Sequence, residues 1–176
     1  MSTPSPIDAP NEYRDMLLAL VEGEDPAEVQ SATASAYRTL VDRAGDRVAT
    51  RPEPEEWAVL ELVGHAVDAE WVVGARYRWV LAHDQPDLAG YDQDLWVDRL
   101  RYADDDPQRL LNLFGVLRAA NLDLWKRTPD EERSRWGMHT ERGPESYEVM
   151  FRMLAGHDRF HLDQAQRALD AVLEQS

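Results

Sequence analysis

Apolar residues recur at helical spacing through most of the chain and predict an all-α fold. No segment alternates apolar and polar residues in the manner of a strand. Four long helices indicate a four-helix bundle, whose core forms where their apolar faces meet. The predicted long helices lie near residues 26–45, 55–83, 107–127 and 145–174, with shorter helical segments near 10–21, 93–101 and 129–135.

Aspartate–proline pairs mark where two of the long helices begin. Asp25 precedes Pro26, and Asp106 precedes Pro107. Proline suits the first position of a helix because its missing N–H needs no partner there. The carboxylate before it accepts hydrogen bonds from the free amides of the first turn. We therefore expect helices to start at Pro26 and Pro107.

The lengths of the connections predict the order of the helices. Residues 46–54 form a short link, so the first two long helices are expected to be antiparallel. Residues 84–106 are far longer than such a link requires and can run the full length of a bundle. A crossover there leaves the second and third long helices parallel. The alternative is a long loop that covers one end of the bundle.

Composition and charge narrow the class of protein. We expect one domain over residues 1–176 with residues 1–9 as a flexible tail. The formal net charge is −15, and an acidic surface without a basic stripe argues against nucleic-acid binding. The most apolar window carries three carboxylates, which argues against a membrane span. The absence of cysteine leaves histidine and carboxylate as metal ligands and, with no signal peptide at the start, predicts a cytoplasmic protein.

Three histidines lie on the apolar stripes of two predicted helices. His157 and His161 are four residues apart, so both imidazoles share one face of the last helix, and His65 lies among apolar residues of the second long helix. His65 is about 15 Å into its helix and the other two are about 17–23 Å into theirs, so the three rings can meet at one level. The alternative is that carboxylates such as Asp68 or Glu61, or water, satisfy the buried rings.

A set of three imidazoles favours a catalytic metal site over a structural one. Three neutral ligands leave a divalent ion with an open position for water or substrate. Two other metal motifs do not fit: a di-iron centre needs Glu-x-x-His pairs, and HDRFH has Asp158 where a zinc protease has glutamate. Asp158 is a catalytic candidate that would orient an imidazole or hold water. A solvated or ion-paired role is its alternative.

Four segments, in this order and spacing, resemble the DinB-like superfamily of metal-binding four-helix bundles: EEWAVLELVGHAVDAEW, YDQDLW, LRAANLDLW and AGHDRFHLDQ. The resemblance covers nearly the whole chain. Its most specific elements are Trp57, eight residues before His65, and the final H-D-x-x-H-x-x-Q. The resemblance implies an up-down-down-up bundle, frequently a homodimer. It also implies one divalent ion, often nickel or zinc, held by a triad of His65, His157 and His161.

Five further polar residues are candidates for the surroundings of such a site. His139, before the last helix, can fold over the metal as an acid or base, with a plain surface role as the alternative. Tyr91 and Asp92 lie in the predicted crossover, and the resemblance makes them candidates for the pocket wall. Arg118 and Asn121 share one face of the third long helix. Arg118 suits an anionic substrate or an ion pair, and Asn121 either faces the site or sets the helix register.

The resemblance leaves the chemistry open. Members of the superfamily include thiol S-transferases that use bacillithiol or mycothiol, a maleylpyruvate isomerase and proteins without a known activity. The favoured hypothesis is a metal-dependent thiol S-transferase or hydrolase that acts on a small molecule, with a low-molecular-weight thiol as a candidate co-substrate. A non-enzymatic metal-binding or stress-related bundle and a metal-free structural or interaction domain are the alternatives.

Overall fold

Six α-helices make up most of residues 4–175, which are the residues that the computed structural model of the protein describes. Each of the first two long helices packs against both of the last two. The predicted helical bundle is confirmed in its main elements. Within residues 4–175, none of the helices combines the length and the apolar character that a membrane span requires. The helices are α1 (Pro10–Ala19), α2 (Pro26–Ala44), α3 (Val59–Ala82), α4 (Gln93–Leu100), α5 (Pro107–Arg127) and α6 (Tyr147–Glu174).

Asp25 and Asp106 cap α2 and α5, as their positions before proline predict. A carboxylate oxygen of Asp25 accepts a hydrogen bond from the Ala27 amide at 2.8 Å. A carboxylate oxygen of Asp106 accepts one from the Arg109 amide at 2.7 Å. Each contact satisfies an amide that the helix itself leaves without a partner, so both helix starts follow from the local sequence.

Helix α3 begins later than the apolar pattern predicts, at Val59 instead of near residue 55. Its first turn is held by Glu61, whose carboxylate accepts a hydrogen bond from the Ala58 amide at 2.8 Å. The same carboxylate pairs with the Arg51 guanidinium at 2.7 Å. Capping contacts of this kind set a helix boundary, and the apolar pattern alone locates that boundary only to within about a turn.

The expectation that the chain has no strands is wrong, because three short strands form one sheet against the helices. They are β1 (Asp87–Leu88), β2 (Trp136–His139) and β3 (Gly143–Ser146). β1 runs parallel to β2, with Leu88 opposite His139, and β2 and β3 form an antiparallel hairpin. Strands of two to four residues are shorter than the window in which alternation is visible. The pairing of β1 with β2 also joins segments that are distant in the chain, which no local pattern reveals.

A polar layer crosses the middle of the bundle between two apolar clusters. The cluster at one end includes Tyr37, Leu62 and Phe114, and the cluster at the other end includes Tyr77 and Phe151. Because polar groups are costly in a core without partners, each member of the layer needs a hydrogen bond, an ion pair or a ligand. The buried members of the layer are Gln30, Thr33, His65, Glu70, Arg118, Asn121, Asp158 and His161.

Residues 4–9 precede α1 and include a turn in which the Ala9 amide donates a hydrogen bond to the Ser5 carbonyl at 3.0 Å. Residues 1–3 lie outside the described residues. The flexible tail over residues 1–9 and the assignment of the whole chain to one domain therefore stay predictions.

Helix α1 packs so closely against α6 at Gly156 that a larger side chain has no room. A Cβ atom built at Gly156 would overlap the carbonyl oxygen of Leu17 in α1. Gly156→Ala is therefore expected to lower the free energy of unfolding by about 1–3 kcal/mol, because the backbone of α1 must move to relieve the overlap. Urea denaturation followed by circular dichroism measures the change.

The matched control is Gly115→Ala in the interior of α5, where an added Cβ meets nothing within 4 Å. This exchange is expected to raise the free energy of unfolding by about 0.5–1 kcal/mol, because alanine loses less conformational freedom on folding than glycine does. Equal effects of the two substitutions on the urea midpoint would contradict the close contact between α1 and α6.

Candidate metal centre

Three imidazoles from two helices converge in the polar layer, as the sequence predicts. α3 supplies His65, and α6 supplies His157 and His161 from successive turns of one face. The Nε2 atoms of His65 and His157 are 2.9 Å apart, and the ligand atoms of all three residues lie within 4.8 Å of one another. His65 and His161 are buried, and His157 is partly exposed because it borders a cavity.

The hydrogen bonds of His161 leave one ring nitrogen free to act as a ligand. Its Nδ1 lies 2.9 Å from the side-chain oxygen of Gln164. Because that oxygen only accepts, Nδ1 carries the proton and Nε2 keeps its lone pair. Among the described residues, this Nε2 has no hydrogen-bond partner, although the atom is buried. A buried nitrogen with a free lone pair beside two other imidazoles is suited to bind a metal ion.

Glu61 and Asp68 are the carboxylates that could satisfy the imidazoles in place of a metal, and both form their hydrogen bonds with other residues. Glu61 pairs with Arg51, and the Tyr102 hydroxyl donates a hydrogen bond to Asp68 at 2.6 Å. Neither carboxylate has a hydrogen bond to the histidine cluster in the described part of the chain. Internal carboxylates therefore do not satisfy these imidazoles.

Burial keeps the three imidazoles neutral. It lowers the pKa of His65 and of His157 well below 6.5, and the neighbouring histidines lower both further. Burial also lowers the pKa of His161 to about 4, while its bond to Gln164 acts in the opposite direction. A neutral imidazole offers a lone pair to a metal, whereas a protonated ring does not.

The separation of His65 and His157 fits a divalent ion. Imidazole nitrogens bind zinc at about 2.0–2.1 Å, so two neighbouring ligands at angles of about 90–110° lie about 2.9–3.4 Å apart. The 2.9 Å between the Nε2 atoms of His65 and His157 lies in this range. Three protein ligands leave at least one position open, which is the arrangement of catalytic ions.

Aromatic side chains hold the imidazoles in place. The Trp57 ring packs 5.1 Å from the His65 ring and stacks on His161 with 6.2 Å between ring centroids. Phe160 meets the His161 ring edge-on at 5.0 Å. Since Trp57 precedes α3 and contacts residues of both helices, it links the two ligand-bearing helices at the cluster.

Two openings border the cluster, and both have Pro6, Tyr13 and Gln93 in their lining. A cleft of about 520 Å³ borders His161 and is lined also by Trp57 and Gln164. A smaller cavity of about 70 Å³ borders His157. The lining of this second opening, called the small cavity below, includes Arg76, Tyr91, Gly90, His139, Glu141 and Arg142, with Ala69, Val73, Met153 and Leu154 as its apolar wall.

Asp158 lies in an ion pair inside the bundle. Its Oδ1 accepts a hydrogen bond from Arg118 at 2.9 Å, and its Oδ2 accepts one from the Thr33 hydroxyl at 2.8 Å. These contacts match the ion-paired alternative weighed for it from the sequence. In the described part of the chain, no hydrogen bond joins Asp158 to a histidine nitrogen. The catalytic role of Asp158 therefore stays a prediction.

Arg118 and Asn121 take part in the same buried network. Arg118 Nε donates to Glu70 at 2.8 Å, and the Asn121 side-chain amide also donates to Glu70 at 2.8 Å. Among the described residues that line the two openings, neither Arg118 nor Asn121 occurs. Arg118 therefore forms ion pairs in the core, and a contact of either residue with substrate stays a prediction.

The sheet brings His139 to the small cavity. His139 is buried on β2, and its Nδ1 accepts a hydrogen bond from the Glu141 amide at 3.2 Å. Burial, together with the nearby charges of Arg142 and Arg76, lowers the pKa of His139 to about 4. Tyr91 lines the same cavity, whereas Asp92 is exposed and caps α4 by accepting a hydrogen bond from the Leu95 amide at 3.0 Å.

Two buried charged residues of this region, Glu70 and Arg76, are not among the site residues predicted from the sequence. Both lie on α3, where Glu70 is 1% exposed and Arg76 is 3% exposed. Arg76 follows His65 by eleven positions (76 − 65), which is about three helical turns, so the two share a face. That spacing is the sequence signal that points to Arg76.

The fold of this chain is similar to that of a known protein, and its sequence matches a known family. YfiT from Bacillus subtilis, described as a probable metal-dependent hydrolase with an unusual four-helix bundle topology, is a similar solved structure. The similarity covers 95% of this chain and 91% of that chain, with a TM-score of 0.75 and 18% sequence identity. A comparison with curated proteins finds none that matches. A model of the DinB superfamily matches residues 11–165, a span that includes all three clustered histidines, and on this evidence the chain belongs to the DinB superfamily.

Proposed function

We propose that this protein is a metal-dependent enzyme, a hydrolase or a thiol S-transferase, that holds one divalent ion on His65, His157 and His161. The observation that carries the proposal is the convergence of three neutral imidazoles within 4.8 Å, with a buried and unpartnered Nε2 on His161. A buried ring nitrogen without a partner is costly in a core, and an ion bound by the three imidazoles would satisfy it. Zinc and nickel are the ions proposed, since both suit imidazole ligands.

The residues around the ligands have separate roles in this proposal. Gln164 keeps His161 in the tautomer whose Nε2 faces the cluster, and Trp57 covers two of the rings and excludes water from them. A divalent ion would supply Lewis acidity, which activates a water molecule or thiol and polarises a carbonyl group. The open side of the cluster is where a substrate would lie.

Two reaction types are supported by different observations. Hydrolysis is supported by the similarity to YfiT, which is described as a probable metal-dependent hydrolase. Thiol transfer is supported by the two openings, because a transferase must bind two molecules. The cleft beside His161, at about 520 Å³, has room for an extended thiol, and the small cavity beside His157 would take part of the acceptor.

Metal analysis of protein purified without a histidine tag tests the proposal. After reloading with zinc or nickel, we expect one ion per chain and a melting temperature that falls when a chelator removes it, because an ion bound only by the folded chain stabilises it. Stoichiometry well below one ion per chain would favour the metal-free structural domain instead.

Assays on the metal-loaded protein separate the enzymatic proposal from a non-enzymatic metal-binding bundle. Bacillithiol, mycothiol and glutathione are each offered with electrophilic acceptors, and ester and amide substrates are offered without thiol. Metal-dependent loss of free thiol would support transfer, and turnover without thiol would support hydrolysis. Inactivity in every arm, with one ion bound, would leave the metal-binding bundle as the explanation.

We also infer an up-down-down-up order for α2, α3, α5 and α6. Residues with higher numbers in α2 contact residues with higher numbers in α6, which indicates that these helices are parallel, and the same holds for α3 and α5. Residues with higher numbers in α3 contact residues with lower numbers in α6, which indicates that these two helices are antiparallel. A spin label at the C-terminal end of α2 should therefore broaden signals from the C-terminal end of α6 and not from its start. The supporting contacts are Gln30–Phe151 and Arg43–Gln166 between α2 and α6, Glu70–Arg118 and Arg78–Asn121 between α3 and α5, and His65–His161 and Tyr77–Tyr147 between α3 and α6.

A homodimer is a further proposal, and its support is an aromatic surface on α3. Trp71 is 57% exposed and Trp79 is 44% exposed. They lie eight residues apart and therefore on one face of the helix. Exposed tryptophans so placed are typical of a protein interface. Sedimentation analysis is expected to give twice the mass of the chain, and a monomer at all concentrations would exclude the dimer.

A further inference from the structure

The small cavity contains a buried cation without a carboxylate partner. Arg76 is 3% exposed, and its Nη2 donates a hydrogen bond to the carbonyl oxygen of Ala89. The Nε of Arg76 is buried and has no hydrogen-bond partner among the described residues. Arg76 also forms no salt bridge with a described residue, whereas Arg118 and Arg142 do. A guanidinium in the interior without a counter-ion has lost its hydration and gained little in return. An anion in the cavity would restore that balance.

His139 supplies a second unpartnered donor to the same cavity. Because its Nδ1 accepts a hydrogen bond from the Glu141 amide, the proton of the neutral ring is on Nε2. That Nε2 is buried and has no partner in the described part of the chain. The N–H group of His139 is therefore free to donate to a ligand.

The sheet brings the two donors to the same cavity. Leu88 of β1 pairs with His139 of β2. The next residue after Leu88 is Ala89, whose carbonyl oxygen holds Arg76. Arg76, on α3, and His139, on β2, are thus tied to adjacent residues of one segment, and both line the cavity that borders the metal ligand His157.

Nearby charges leave the cation of Arg76 available. Arg142 also lines the cavity, but Glu145 holds it in a two-pronged ion pair that includes a hydrogen bond of 2.9 Å. Glu141 is exposed at the rim, where water screens its charge. Arg76 is therefore a cation of the cavity that no described carboxylate contacts directly, although Glu145 and Glu141 attract its charge from a greater distance.

We propose that Arg76 and His139 bind the carboxylate of a small substrate whose other end reaches the metal beside His157. This inference rests on the proposed function, to which it adds a substrate class. Side chains on a helix lean toward its N-terminus, so Arg76 extends along α3 toward His65 and the metal cluster. Between the two ends, Ala69 and Val73 offer an apolar wall. The substrate class is a monocarboxylate with a short apolar segment between its carboxylate and its reactive group.

The chemistry of the cavity favours a carboxylate over a phosphate. A planar guanidinium fork matches the two oxygens of a carboxylate, and a single negative charge balances the single free cation. A phosphate dianion would carry one negative charge more than the single cation of Arg76 balances.

Binding of propionate to the metal-free protein tests this site apart from the metal. Calorimetric titration with propionate, and with the neutral isostere propionamide, is carried out in chelator at constant ionic strength. We expect propionate to bind wild-type protein and to raise its melting temperature, because a ligand of the folded state stabilises it. Propionamide is expected to bind at least about tenfold more weakly, since it lacks the charge that pairs with Arg76.

Variants identify the residues responsible. Arg76→Met is expected to weaken propionate binding at least about tenfold, and His139→Phe by a smaller factor, since a charged partner contributes more than a neutral donor. Arg76→Lys keeps the charge without the planar fork and is expected to lie between wild type and Arg76→Met. The matched control is Arg127→Met, which removes an exposed arginine outside the cavity lining and should bind propionate like wild type.

The melting temperature distinguishes a binding role of Arg76 from a structural one. Arg76→Met is expected to melt at or above the wild-type temperature, because it removes a buried charge without a counter-ion. Arg76→Met should also still bind one ion per chain. Failure of the metal proposal would therefore appear as a loss of bound ion, and failure of the carboxylate proposal would appear in propionate binding alone. Three outcomes would overturn the carboxylate site: no propionate binding by wild type, equal binding of propionamide, or unchanged binding by Arg76→Met.

Discussion

His161→Ala is expected to weaken metal binding by at least about 100-fold. The exchange removes a whole ligand, and loss of a ligand's hydrogen-bond partner alone costs about 10–100-fold. After it, only His65 and His157 remain, with their Nε2 atoms 2.9 Å apart. A 100-fold loss corresponds to about 2.7 kcal/mol of binding free energy. Competition with a metal-binding indicator of known affinity measures the change.

The stability of the same variant is expected to lose its dependence on metal. Metal should raise the melting temperature of wild type, and His161→Ala should lose most of that rise. Gln164→Leu is expected to give an intermediate rise, because it removes the acceptor that sets the tautomer of His161. The matched control is His83→Ala at the exposed end of α3, which should keep the full rise. A full rise in His161→Ala would exclude His161 as a ligand.

Arg118→Met is expected to lower the free energy of unfolding by about 3–5 kcal/mol, the usual cost of leaving a buried charge without its partner. Arg118 is 3% exposed and lies between two buried carboxylates, donating to Glu70 at 2.8 Å and to Asp158 at 2.9 Å. Without the guanidinium these carboxylates would repel each other in a medium of low dielectric constant. Urea denaturation of the variant and of wild type measures the loss.

Neutral partners should restore much of this stability. Adding Glu70→Gln and Asp158→Asn to Arg118→Met removes both uncompensated charges while nearly keeping the volumes of the side chains. We expect the triple variant to be clearly more stable than the single variant, since an uncharged polar group is much less costly to bury than an ion. A triple variant that is no more stable would mean that packing, and not charge, accounts for the effect of Arg118.

The loss caused by Arg118→Met is also expected to shrink as the pH falls. Burial raises the pKa of Glu70 above its ordinary value, and Arg118 opposes this rise. An acid whose pKa is raised in the folded state binds its proton more tightly there, so its contribution to stability grows as the pH falls through that pKa. Without Arg118 the pKa of Glu70 rises further. The difference in unfolding free energy between wild type and variant should therefore be smaller near about pH 5 than near about pH 8; a constant difference would count against this origin.

The sequence alone determined the features that depend on neighbours along one helix. The Asp–Pro pairs begin α2 and α5 where predicted, because a cap and a first turn are contacts between residues two or three positions apart. The clustering of His65, His157 and His161 was predictable for a related reason. Their positions on apolar stripes aim the rings into the core, and their depths along the two helices place them at one level.

Only the tertiary structure decided what surrounds the histidines. Asp158 follows His157 directly in the chain, yet it pairs with Arg118 from another helix. The pairing of β1 with β2 joins segments about 50 positions apart and brings Arg76 and His139 to one cavity. Helical periodicity and capping describe residues a few positions apart and do not encode such contacts. Which polar groups face each other in the core depends on how the helices and the small sheet pack together.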